Sequence, residues 1–154
     1  MKETKAFLKQ IEKLDKIIEN KMIERQQWKD MALGLSAGGE SIRIDGVLHN
    51  MDKVQSSGNP QKMADAVAKY VDLERDIDRY IDRLIVAKMD VINVIEQLNP
   101  IEYDVLHKIY VQKCTFYDVA DAYDKTYSWV TTIHGRALKS VKKILVERRK
   151  DAAQ

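Results

Sequence analysis

The sequence predicts an all-α protein, on three observations. Residues 5–33 contain neither Gly nor Pro and carry apolar residues at steps of three and four. Residues 60–98 repeat that pattern over a longer run. From Leu98 to Lys143, cap residues and breaks recur at spacings that make three short helices. Charged residues are 32% of the 154 and aromatics 7%, which suits solvated helices better than a sandwich or barrel. The expected architecture is a long antiparallel, coiled-coil-like helical hairpin over 1–98, with a loop at 34–59, and then a helix-turn-helix domain over 99–150.

The first helix is expected from about Lys5 to Leu33. Its seam runs through Phe7, Ile11, Leu14, Ile18, Lys21, Arg25, Trp28 and Ala32, apolar at six of eight positions. Gly34, Gly38 and Gly39 then end it. The second helix is expected from Pro60 to Leu98, with Asn59 as its cap and Pro60 at the first helical position. Its expected seam is Met63, Val67, Tyr70, Glu74, Ile77, Ile81, Leu84, Lys88, Val91, Ile95 and Leu98, with nine of eleven apolar. At 1.5 Å per residue the two would be about 45 and about 58 Å long, and neither can bury its stripe alone. Folded back on each other, they place the polar seam residues Lys21 and Arg25 opposite Glu74, which would set their register. The intervening 34–59 stretch contains SIRIDGV, a candidate tiny hairpin around Asp45-Gly46, and a polar Ser56-Ser57-Gly58 break.

Leu98–Lys143 carries the chemistry. Asn99-Pro100-Ile101-Glu102 is a helix start, followed by an apolar face of Ile101, Val105, Leu106, Ile109 and Tyr110. Thr115 stands three residues before Asp118, a capping-box spacing. Counting Phe116 as the first position of a helix-turn-helix puts Ala120 where the two helices must approach closely. The same frame puts Val130 and Ile133 where the second helix anchors to the first, and Thr126 caps that helix. Asp124 takes the turn position usually held by Gly and tolerates left-handed geometry better than most residues. Four of the five diagnostic positions are met.

The residues expected to meet DNA are Lys125, Thr126, Tyr127, Ser128, Trp129, Thr131, Thr132, Gly135, Arg136, Lys139, Lys142 and Lys143. Ser, Thr and Tyr hydroxyls can bond phosphates or bases, Thr methyls suit thymine, and Arg can grip guanine or phosphate. Gly135 costs about 1 kcal/mol of helix propensity, so a close approach at that point is expected. Charge is distributed to match. Lys125–Gln154 holds eight Lys/Arg against two acids, Asn99–Asp124 two against five, while the chain as a whole is only +2.

Other classes are disfavoured. There is no Gly-rich phosphate loop, no Ser/Cys–His signature and no isolated carboxylate pair, so an enzyme is not expected. His49, His107 and His134 are scattered, so neither a metal site nor a cofactor is expected. Cys114, alone, excludes an intramolecular disulfide and fits a reducing compartment. No apolar run approaches a membrane span, and MKETKAFLKQ has no apolar signal-peptide core, so a cytoplasmic protein with no membrane partner is expected.

The segment LNPIEYDVLHKIY, continued by TFYDVADAYDKTYSWVTTIHGRALKSVKK, resembles region 4 of bacterial sigma factors. The resemblance runs through Leu98, Pro100, Glu102, Val105, Leu106, Thr115, Val119, Ala120, Thr126, Val130, Ile133, Ala137 and Leu138. The whole chain, including VQSSGNPQKMADAVAKYVDLE, resembles the ArpU/RinA-like late transcriptional regulators of phages and prophages. That resemblance implies an activator of late genes in a bacterial host cell. Trp129, Thr131 and Thr132 stand where sigma factors carry their promoter-reading Arg and Gln residues, and the long helices replace the polymerase-binding and melting segments. The expectation is therefore sequence-specific binding of double-stranded DNA, with RNA polymerase and a second copy of the chain as further partners. The alternatives are a small-terminase-like DNA-packaging subunit and a module that docks on polymerase.

Overall fold

In the computed structural model the chain is all-α, and residues 1–34 and 60–153 are described. The order is α1 (Lys2–Ala32), α2 (Pro60–Ile95), α3 (Pro100–Leu106), a π-helical turn (His107–Val111), α4 (Phe116–Ala122) and α5 (Tyr127–Asp151). No strand occurs among the described residues. The expected hairpin at Asp45-Gly46, the Ser56-Ser57-Gly58 break, the Asn59 cap and His49 lie outside the described residues. Among those described, no helix is long and apolar enough to cross a membrane.

Local chemistry explains where the helices stop. Gly34 takes φ +66 just beyond α1, the left-handed conformation that glycine adopts without a Cβ clash. α2 ends at Ile95, three residues earlier than expected, and tightens through Gln97 N–H to Val94 and Leu98 N–H to Ile95. Pro100 requires this, because the residue before a proline is excluded from the helical region. Asn99 is accordingly extended, and its side chain accepts from the Glu102 amide at 3.0 Å to cap α3.

The described chain divides into two compact units, and the division is not the expected one at 98/99. One unit comprises Met1–Asp15 with Arg83–Gln154, the other Lys16–Asp82. The physical reason is a shared core. Leu8 and Ile11 of α1 and Val91, Val94 and Ile95 of α2 are buried with Leu106, Ala137, Leu138 and Val141. Burying each Val, Leu or Ile contributes about 1.5–3 kcal/mol, so the first turns of α1 are structural parts of this unit.

Within the Lys16–Asp82 unit the two helices run antiparallel, held by two ion pairs. Arg25 reaches Glu74 at 3.7 Å, as expected. Lys21 does not meet Glu74; it bonds Asp76 at 3.0 Å and lies 5.5 Å from the Tyr80 ring centroid. Lys21 lowers the Asp76 carboxyl below its usual range, first through the hydrogen bond and then through its charge. Glu74 also accepts from the Tyr70 hydroxyl at 2.8 Å.

The α2 seam differs from the expected one. The buried positions are Ala66, Leu73, Ile77, Ala87, Val91, Val94 and Ile95, while Met63, Val67 and Ile81 are exposed. Small alanines occupy inward positions that a search for large apolar residues passes over.

Candidate nucleic-acid interface

The candidate interface is built on α4, the turn 123–126 and α5. Thr115 starts α4 with a complete capping box. Its hydroxyl accepts from the Asp118 amide at 3.2 Å, and its own amide donates to the Asp118 carboxylate at 2.6 Å. The Thr115 hydroxyl also donates to that carboxylate at 2.7 Å, and this bond first, then the one from the Thr115 amide, holds the Asp118 carboxyl below its usual range. After Ala122 the chain turns through Asp124 at φ +51, the left-handed position expected of it. The Asp124 amide donates to Asp121 at 3.1 Å and the Lys125 amide to Ala120 at 2.9 Å, a paired closure of the helix end. Thr126 then caps α5 by accepting from the Trp129 amide at 3.2 Å.

A small core fixes the angle between the two helices. Val105, Val119, Ala120, Val130 and Ile133 are buried together, with Ile109, Phe116, Tyr123 and Trp129 packed around them. Ala120, Val130 and Ile133 therefore sit where the expected frame placed them. Tyr123 donates to the Asp104 carboxylate, tying the turn to α3. Burial, then that bond, pushes its phenol up to about 12. His134 faces inward and hydrogen-bonds Tyr110 at 3.0 Å, with the Phe116 ring 5.0 Å away. Burial, and after it the nearby Lys5 charge, lowers its pKa.

The twelve sequence-selected residues do not all share one role. Ser128, Thr132, Arg136, Lys139, Lys142 and Lys143 are exposed, and Thr131 and Gly135 are half-buried. Lys125, Thr126 and Tyr127 are exposed at the start of the helix. The hydroxyls of Thr131 and Thr132 both donate to the Ser128 carbonyl, at 2.8 and 2.9 Å. Their donors are thus engaged, leaving acceptor lone pairs and methyls to face outward. Apart from its chain neighbours and the backbone of its own helical turns, no atom of the described chain lies within 4 Å of where a Gly135 Cβ would be, so no packing contact there explains that glycine. Trp129 is half-buried, with its ring 5.3 Å from Tyr123, and it braces the turn.

One residue outside the sequence selection joins this surface. Tyr117 of α4 is 69% exposed, and its ring lies 4.9 Å from Tyr127, which is itself 45% exposed. Its position beside the Thr115 cap is the signal that could have found it.

The approach to α4 holds a feature the sequence did not announce. His107–Val111 is a π-helical turn, closed by the Gln112 amide on His107 at 3.0 Å. Lys113 follows at φ +62, and its ammonium bonds Asp15 at 2.7 Å.

No family model, curated protein or solved structure matches this chain.

Proposed function

We propose that the chain is a sequence-specific double-stranded DNA-binding regulator of transcription. The observation that carries this reading is the outer face of α5. Ser128, Thr132, Arg136, Lys139 and Lys143 are exposed, with Gly135 between them, and none of the three cations has an ion-pair partner among the described residues. Short polar residues at the start of the helix suit base edges, and cations further along suit phosphate. The capped turn and the Val105–Ile133 core support the reading by fixing this helix on a rigid base, as a helix-turn-helix requires.

With this reading go the finer expectations of a late-gene activator from a phage or prophage, acting in the bacterial cytoplasm and working with RNA polymerase. A homodimer belongs to the same proposal. Ile85, Val86 and Met89 form an exposed apolar group on α2, as do Met22 and Ile23 on α1.

The test is duplex binding measured by fluorescence anisotropy over a salt series. The proposal expects log affinity to fall linearly with log salt, and Lys139→Ala to reduce that slope by about one unit. Binding that is absent, or a slope unchanged in Arg136→Ala, Lys139→Ala and Lys143→Ala alike, contradicts it.

A further inference from the structure

Two adjoining cavities, of about 340 and about 560 Å³, lie between the start of α1 and the C-terminal half of α5, and they share Met1, Lys142 and Val146. Their lining includes exposed and half-buried apolar side chains. Met1 is 48% and Val146 41% exposed, with Phe7 and Leu145 half-buried beside them. The same lining carries the cations Lys139, Lys142, Lys143, Arg148 and Lys150. None of these five has an ion-pair partner among the described residues. The carboxylates present are Glu147 and Glu3, and Glu3 is already held by Arg149 at 3.3 Å.

Cations with no ion-pair partner among the described residues, lining the same groove as exposed apolar side chains, select an occupant that is both acidic and apolar. A phosphate backbone would satisfy the lysines but leaves Met1 and Val146 in water. An amphipathic helix with carboxylates flanking an apolar stripe satisfies both, laying its stripe into the groove. The groove shares Lys139 and Lys143 with the duplex face, but Val146, Arg148 and Lys150 lie further along α5. The 25 residues of that helix span about 37 Å, against a DNA major groove about 12 Å wide, so a helix that reads bases with its first turns carries Val146 clear of them.

We infer that the groove between α1 and the end of α5 docks an acidic amphipathic helix of a partner protein. The room left on α5 rests on the DNA reading, whereas the exposed apolar side chains and the cations of the groove stand without it.

The test uses a labelled, designed helical peptide with leucines on one face and glutamates elsewhere, titrated into the full-length chain. The peptide binds the parent protein. Val146→Gln, an exposed position that the fold does not depend on, weakens it about tenfold through lost apolar contact. Replacing the peptide's leucines with glutamines abolishes binding, and Val146→Gln leaves duplex binding unchanged. Four results overturn the inference. They are no peptide binding, peptide binding indifferent to both replacements, duplex binding weakened by Val146→Gln, and phosphatidylserine vesicles bound in preference to the peptide.

Discussion

The amide of Lys125 donates to the carbonyl of Ala120 at 2.9 Å, across a turn whose central residue, Asp124, is left-handed. That bond closes the end of α4 and directs the chain into α5, so the placement of every residue on the outer face of α5 depends on it.

The turn can be tested at Asp124. Non-glycine residues pay about 1–2 kcal/mol in this conformation, β-branched ones the most, while Asp is better tolerated. Asp124→Val is expected to lower stability by about 2 kcal/mol in urea unfolding, and Asp124→Gly to change it by less than about 0.5 kcal/mol. Equal losses in both variants would mean that the turn is not set by backbone conformation.

A second prediction concerns Leu8. It is fully buried in the core that holds Leu138 and Val141, although it lies far from them in sequence. Leu8→Ala is expected to cost about 2–5 kcal/mol. Deleting residues 1–15 should abolish the cooperative melting of α3 to α5 followed by near-ultraviolet circular dichroism. A fragment 99–154 that melts cooperatively with full stability would contradict the unit as described.

These two positions also show what could be read from the chain and what could not. Caps and stops were legible because their chemistry is local: Asn99, Thr115, Thr126, Gly34 and Asp124 each act on a backbone within a few residues. The inward positions of Ala120, Val130 and Ile133 were legible because helical spacing fixes them relative to those caps. Contacts set by tertiary packing were not. The alanines at 66 and 87 give no hydrophobic signal of their own, and the π-helical turn at His107–Val111 has no residue that demands it. Membership of Leu8 and Ile11 in the C-terminal core depends on chain topology rather than on composition. At the candidate site, sequence identified Thr131 and Thr132 but not that their hydroxyl protons are held by Ser128.

His134 supplies a pH prediction. It is buried on the inner side of α5 against Tyr110 and Phe116, and its pKa is depressed below the ordinary 6.5. The unfolded chain therefore binds the proton more readily than the folded one. Stability from this residue is fully present above about pH 6.5 and is lost as pH falls toward the lower folded value. Thermal melting between pH 7.5 and 5 should show this loss, and His134→Gln should flatten it. The Asp118 contribution falls in a separate window, below its ordinary 3.8, and does not overlap. A pH profile unchanged by His134→Gln would remove His134 as its source.

The central claim, that the outer face of α5 reads duplex sequence, is tested most directly by selection of the purified protein on a random-sequence duplex library. The account predicts convergence on one motif, with Arg136→Ala relaxing preference at a single position at a cost of about 1–3 kcal/mol. A library that remains random after repeated rounds, under salt conditions where the protein still binds DNA, would contradict it.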